Sequence, residues 1–597
     1  MDTRDVDVLI VGGGPSGLVA SIQLAQLGIS SLLVERRDGV VKVAKAHYLN
    51  ARTMEIFSQM GIADSVYAAG APLENIATTA LYTSLGGTTP HAGRLVLTLD
   101  AFGGGPLRES YAATSACRSG NLPQKYLEPM LRQFAEQHNP DGVLFSHEVD
   151  SLEPGPGFVT ATVRGEQNFA VRARYVVAAD GGRTVAPVVG IAMQGAPPFV
   201  RMIALHFAAD LSPWLQEDTS LIRLIVRPNA EGVVVQTGLV GMGPEHWDRH
   251  SEEWVLNVVI PIGTELSTQE WDDANAIEQI RETLGLPDLE PTILKISEWD
   301  IEGVLAERFR ADRVFLVGDA AHRHPPTTGL GLNSGVADVH NLTWKLAAVL
   351  QERADPGLLD SYESERLPID ARNIEWAMFT FFNHLAGQAG WGVLPGVPPE
   401  VNMGLFYATL EDTPDGHSRL ARLTEFLNTQ RTEYQARDIE LGYSYAGSPA
   451  ICDDGTSPAP RDPMGTVYQQ QARPGSRLPH ASLARGDHQL STHQLLQTGS
   501  FLLIAGENGE AWCSAAEIVA KRHNTPIVSV RVGAHEALRD EDGTWAAVRG
   551  HGPQGVVLVR PDGHVLYRSE GAVDSPEDAL AGAVAVALGT AAESPAP

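Results

Sequence analysis

Gly12, Gly14 and Gly17 stand at the spacing Gly-x-Gly-x-x-Gly between a short β-branched run, Val6 to Val11, and an amphipathic stretch that reaches Leu27. Gly12 lets the chain reverse tightly, Gly14 lets the backbone approach a pyrophosphate, Gly17 packs the coming helix on the strand, and Pro15 suits its first turn. Together with Ser16 they aim the positive end of a helix at an anion. About 20 residues further on, Glu35 closes the next strand, where a carboxylate accepts hydrogen bonds from the ribose hydroxyls of an adenosine. Strand, glycine turn, helix, Gly28 as its stop, and a second strand ending in an acid read as a βαβ unit for a dinucleotide. The motif alone does not separate a flavin from a nicotinamide.

A second cluster does. Gly318-Asp319-Ala320-Ala321-His322-Arg323-His324-Pro325-Pro326 leads into Gly329-Leu330-Gly331-Leu332-Asn333 and a helical pattern. A strand-end acid beside a ribityl chain, and a glycine-rich turn feeding a helix N-terminus, suit a flavin: its N1 and C2 carbonyl gain negative charge on reduction, which backbone N–H groups and the helix dipole stabilise. Taken singly, Asp319 also reads as a helix cap, and His322 and His324 as satisfied or surface histidines.

The elements that must position these residues fit the chain's size. With 597 residues, 43% hydrophobic and 20% charged, it can bury several ordinary cores. We expect an α/β protein in five stretches. Residues 1–190 form the first part of a Rossmann-type FAD-binding domain, and 191–298 an inserted, mainly antiparallel β-sheet substrate domain. Residues 299–390 resume the FAD-binding domain, 391–480 are helical and linking, and 481–597 form a separate α/β domain. The net charge of −29 repels nucleic acid and anionic lipid. Three scattered cysteines, Cys117, Cys452 and Cys513, offer neither a disulfide framework nor a metal site, as suits a reducing cytoplasm. Neither a signal peptide nor a membrane-spanning apolar run is evident, so a soluble cytoplasmic protein is expected.

The combination of GGGPSG with Glu35-Arg36, Asp180-Gly181 after a strand, and GDAAHRHPPTTGLGLNSGVADVHNLTWKLA resembles the single-component FAD-dependent aromatic hydroxylases with the para-hydroxybenzoate hydroxylase fold. Asn50-Ala51-Arg52-Thr53-Met54-Glu55, the run from Leu359 to Arg366, and Ala472 to His480 match the phenol and 2,4-dichlorophenol monooxygenase branch and the related polyketide hydroxylases. The resemblance implies that Gly12, Gly14, Pro15, Ser16 and Gly17 hold the FAD pyrophosphate, Glu35 and Arg36 the adenosine half, and Asp319 the ribityl or pyrophosphate. It also brings Gln124 and Arg52 to the FAD, and Gly331, Leu332 and Asn333 to the isoalloxazine. Pro187 stands where an arginine is common, which leaves the choice between NADPH and NADH open.

What the resemblance implies chemically is a monooxygenase in which NAD(P)H reduces FAD, O2 forms a C4a-hydroperoxide, and a phenol-like ring is hydroxylated ortho to its hydroxyl. The ring could be a phenol, a hydroxypyridine or a polyketide. His47, five residues before Arg52 where such phenol hydroxylases carry a polar group, is the expected base; the other reading is a histidine that only shapes the flavin pocket. His47 and Arg52 are therefore the expected catalytic pair, Trp299 a further substrate contact, and a homo-oligomer the expected assembly. The last domain resembles the thioredoxin-like domain of this branch, but Glu510 and Ala516 flank Cys513 where a CxxC partner would stand, so redox exchange is not expected. A flavin-dependent halogenase shares the fold, but no two tryptophans are separated by one residue. A non-catalytic flavin-binding partner protein is the reading from another class.

Overall fold

The computed structural model describes residues 2–40, 45–229, 231–264, 270–394 and 396–591. Met1, Pro395 of the helical and linking stretch and the last residues assigned to the C-terminal domain, 592–597, lie outside them. β1 (Asp2–Val11), the helix α1 (Pro15–Gln26) and β2 (Ser31–Val34) form the expected βαβ unit. Pro15 opens α1 because its missing N–H costs nothing there, and Gly28, at φ +74°, turns the chain after it.

β1 lies between β2 and β10 (Phe169–Ala178), parallel to both, and β10 pairs in parallel with β17 (Val314–Leu316), so the sequence-distant Gly318-Asp319 emerges beside the glycine turn. β7 (Val143–Leu144) and β16 (Arg310–Ala311) close the two edges; β8 (Glu148–Gly155) and β9 (Phe158–Arg164) hang from β10 as an antiparallel extension. Strand residues Val8, Leu9 and Ile10 have no exposure because α1 and the helix α5 (Leu330–Leu350) cover one face. The helices α2 (Ala51–Gln59) and α3 (Gln124–His138) pack beside them, and α6 (Asp360–Trp391) runs back over α5.

The second sheet is larger than the sequence indicates. Its strands run in the order β18 (His322–Arg323), β15 (Thr292–Ala306), β11 (Met193–Ala208), β14 (Glu253–Pro261), β13 (Val234–Gly241), β12 (Ser220–Pro228), β4 (Thr78–Tyr82), β5 (Leu95–Asp100). The sheet thus draws on residues outside 191–298. β15 continues past residue 298 because its pairing with β11 extends to Ala306, and the hairpin β4–β5 joins through a parallel pairing with β12. A local hairpin is readable from a sequence; its docking on a strand about 140 residues away is a long-range choice. The helix α4 (Asp273–Leu284) covers the outer face.

The C-terminal unit holds the hairpin β19 (Ser482–Arg485) and β20 (His488–Ser491) and a four-stranded sheet in the order β22 (Ile527–Val532), β21 (Phe501–Gly506), β23 (Val556–Val559), β24 (Val565–Ser569). With the helices α8 (Glu510–Arg522) and α9 (Pro576–Ala587) against it, this is an α/β arrangement. A short helix α7 (Arg437–Leu441) lies in the linking segment. Among the described residues, no helix is long and apolar enough to cross a membrane.

Candidate active site

The three glycines do different work. A Cβ on Gly12 would stand 2.4 Å from the carbonyl oxygen of Ala179, and one on Gly17 2.0 Å from that of Gly12, so both positions are demanded by packing. A Cβ on Gly14 would meet nothing within 4 Å. Gly14 caps α1 with no side-chain hydrogen bond, leaving the first N–H groups of the helix facing that open space. α5 also starts uncapped, at Gly329 with φ +64°. The two helix ends are brought together because Gly318 and Gly335 carry no side chain: a Cβ on either would lie 2.6 or 2.4 Å from Ser16 Oγ. Two uncapped, positively polarised ends around a cradle that a side chain at Gly14 would fill fit the pyrophosphate and the flavin C2 carbonyl of FAD.

Glu35 accepts the Gly13 N–H at Oε2 (2.7 Å) and the Arg37 N–H at Oε1 (2.9 Å), so it also shapes the glycine loop it was expected to serve. Arg36 and Asp319 are exposed beside the loops, and Pro15 opens α1. Gln124 starts α3; its backbone N–H donates to Ala46 O (2.8 Å) and its side chain to Glu128. Gly331 and Leu332 lie half-buried in the first turn of α5. Asn333 is the tie between the parts: Nδ2 donates to Gly329 O (2.6 Å) and Tyr48 O (3.1 Å), while Oδ1 accepts the Asn50 N–H (3.0 Å). Thr328, just before Gly329, holds φ +64°, an unfavourable conformation for a β-branched residue, with its hydroxyl 3.2 Å from that of Thr380.

That tie places His47 one residue from the clamped Tyr48. His47 Nδ1 is 2.8 Å from Asn121 Oδ1, its carbonyl accepts the Leu122 N–H, and burial lowers its pKa against the raising effect of the Asn121 bond. An Nδ1–H donated to Asn121 leaves Nε2 as the acceptor nitrogen. Asn121 itself has no sequence signal; it reaches His47 because β3 (Tyr48–Leu49) pairs with β6 (Gly120–Asn121).

Arg52 is buried at the start of α2 and bonds toward the C-terminal unit. Its Nε donates to Tyr443 Oη (3.3 Å), Nη1 to Glu55 (3.3 Å) and Nη2 to the carbonyl of Asp562 in the C-terminal unit (2.7 Å). Its neighbour Asn50 faces the flavin turn, whereas residue 52 leaves α2 toward the other side. All three side-chain bonds of Arg52 thus run to Tyr443, Glu55 and the Asp562 carbonyl, away from the flavin turn.

The substrate side follows from alternation along the second sheet. Ile203, Leu205 and Phe207 point outward and are sealed without exposure against α4, as are Leu239 and Leu256. The intervening inner residues Ala204, Val240 and Val255 join Tyr48, Phe102 and Tyr434 in one apolar cluster, with Trp299 packed against it. Gly238, Asn257 and Ala204 lie in register across β13, β14 and β11, and the first two keep partial exposure although they sit mid-sheet. The inner face is thus open where the outer is closed. Tyr48 and Phe102 rings lie 4.7 Å apart and Phe102 and Tyr434 5.9 Å, an aromatic wall suited to a flat ring. Tyr48 Oη donates to Glu440 Oε1 (2.9 Å), whose carboxyl burial pushes up to about 7.

A family model for an FAD binding domain matches residues 5–377, and one for the C-terminal domain of aromatic-ring hydroxylases matches 471–591. The chain is 32% identical over 591 residues to a phenol 2-monooxygenase of Pseudomonas sp. (strain EST1001), covering 96% of this chain and 92% of that one. It is 31% identical over 586 residues to the 2,4-dichlorophenol 6-monooxygenase of Delftia acidovorans, covering 96% and 97%. The fold superimposes on the flavin-dependent monooxygenase PieE, solved with FAD and substrate, at a TM-score of 0.90 with 34% identity, covering 99% of this chain and all of that one. With both flavin loops, the aromatic inner face and the C-terminal unit in place, the chain belongs to the single-component FAD-dependent aromatic-ring hydroxylases of the phenol monooxygenase branch.

Proposed function

We propose that this enzyme hydroxylates a phenol-like ring ortho to its hydroxyl, with NAD(P)H as reductant, O2 as oxygen source and His47 as the base. Bound FAD supplies the redox chemistry that passes electrons to O2. Gly12, Gly14, Pro15, Ser16 and Gly17 would hold its pyrophosphate, Glu35 and Arg36 its adenosine half, Asp319 and Gln124 the middle, and Gly331, Leu332 and Asn333 the ring end. The inner sheet face orients the aromatic substrate and limits access of water to it. His47 Nε2 takes the phenolic proton, which makes the ring more electron-rich and faster to attack an electrophilic oxygen.

The observation that carries this reading is a part-buried imidazole, its pKa lowered, oriented by Asn121 on the same segment that Asn333 clamps to the start of α5. Phenol and dichlorophenol relatives, and the polyketide-type ring of the aklavinone-11 hydroxylase complex, define the substrate classes to try. NAD(P)H consumption is measured over phenols, hydroxypyridines and quinone-type polyketides, with product mass analysis. One class should return a product heavier by one oxygen atom. NAD(P)H oxidation that yields only hydrogen peroxide with every class would sink the assignment.

A further inference from the structure

The hairpin Arg560–His564, between β23 and β24, carries charges into the body of the flavin domain. Arg560 donates to both oxygens of Glu365 on α6 (2.6 and 2.9 Å), which also accept from Lys345 (2.7 Å), Asn341 (2.6 Å) and Ser448 (2.6 Å). The next residue on α6, Arg366, faces the other way. It donates through Nε to Asp338 Oδ1 (2.8 Å) and through Nη2 to Asp370 Oδ1 (3.0 Å). Asp338 Oδ2 in turn accepts the Gly318 N–H (3.0 Å) and lies 2.9 Å from His322 Nε2.

Every charged group in this chain of contacts is at most 2% exposed, so none has water to replace a lost partner. A second route runs along α2. Arg52 donates to the Asp562 carbonyl, and Asn50, two residues earlier, donates to Asn333 at the start of α5. Both routes join the C-terminal hairpin to a loop at the open cradle, one at Gly318 and the other at Asn333.

We propose that docking of the C-terminal unit and binding of FAD are coupled, with Glu365–Arg366 as a two-faced strut: the hairpin holds Glu365, and Arg366 through Asp338 holds the Gly318-Asp319 turn. The inference rests on reading that turn as the ribityl site. Arg366 and Asp338 are then positioning residues, and the C-terminal unit contributes to the flavin site without touching it. Coupling of this kind is reciprocal, so FAD must tighten the hairpin by the factor by which the hairpin tightens FAD.

The test uses the full chain stripped of flavin and titrated with FAD by fluorescence. Arg560→Met leaves Glu365 paired with Lys345, although it takes from the buried Asp562 carboxylate its nearest cation, and should weaken FAD by about 5- to 150-fold, the usual span of such couplings. Arg560→Lys should recover part of the loss. Arg522→Met, which breaks an exposed pair with Glu577 on the same unit, should leave it unchanged. In the wild type, amide exchange of Gly563 and His564 should slow when FAD is added; this arm decides the matter even if Arg560→Met does not fold. An Arg560→Met protein that binds FAD as the wild type does, or a wild-type hairpin whose exchange ignores FAD, overturns the proposal. Asp319→Ala separates the two readings: unchanged FAD affinity there would refute the ribityl assignment, while FAD-dependent exchange at the hairpin would still show coupling.

Discussion

His47 is part-buried, which takes from its protonated form some of the hydration water would give it, and its pKa falls below the usual 6.5. The imidazole is therefore neutral at pH 7 and able to accept a proton; it loses that ability only as the pH drops through its lowered value. Ring hydroxylation should show an acid limb below 6.5 and a plateau above it. In His47→Ala the flavin should still be reduced, but ring attack should slow by about 100- to 10,000-fold, with reducing equivalents lost to hydrogen peroxide and the limb gone. Product and peroxide yields measured between about pH 5 and 8 check this. A variant that remains coupled and keeps the limb leaves His47 as a pocket residue. The residue type and its neighbourhood to Arg52 were legible in the sequence. Its orientation was not, because Asn121 is 74 residues away and acts only through the β3–β6 ribbon.

The glycine turn between β1 and α1 separates folding from binding at the level of an element. Gly17→Ala forces a methyl group against the Gly12 carbonyl at 2.0 Å, so α1 must lift from the sheet. Overpacking of this sort costs typically about 1–3 kcal/mol, occasionally more. Gly14 has φ −75° and open space around its missing Cβ, so Gly14→Ala should leave the stability of the flavin-free protein equal or higher by about 0.4–1 kcal/mol. The same methyl group fills the cradle. FAD should then bind at least about tenfold more weakly, about 1.4 kcal/mol. Urea unfolding of the flavin-free protein and FAD titration read the two effects apart. Full FAD affinity in Gly14→Ala would mean that the pyrophosphate lies elsewhere. This βαβ element was readable because every rule it obeys is local; the docking of β4–β5 on β12 obeys none that a window of residues contains.

Across the whole molecule, burial of neutral histidines sets the response to acid. Burial holds His324, His480, His551 and His564 at about 4 and His340 at about 3, against 6.5 in the unfolded chain. Below 6.5 the unfolded state therefore binds protons that the folded state refuses, and stability falls as the pH falls. Asp370 and Glu440 act oppositely, since burial raises both to about 7 and the folded state binds their protons first. Five groups outweigh two. Below about 4.5 a further loss comes from Glu365: burial alone would raise its pKa, but Arg560 and Lys345 hold it at about 2, so its contribution vanishes as the pH falls toward that value. The urea midpoint should decline steadily from about pH 6.5 to about pH 3. A midpoint that rises between about pH 6.5 and 5 would show that the two carboxyls dominate.

The sequence by itself determined the class of chemistry. Glycine spacing, a strand-end acid and a helix start are local patterns, and each carries its physical meaning, tight reversal, close approach or positive dipole, within a few residues. The absence of a CxxC partner for Cys513 is equally local. Only the tertiary structure decided that Arg52 serves the C-terminal unit and that Asn121 orients His47. It also decided that Glu365 and Arg366, adjacent in the chain, face two different domains. The reason is the same in each case: a buried polar group must find a partner wherever the fold supplies one, and that partner's position is a property of packing between distant segments.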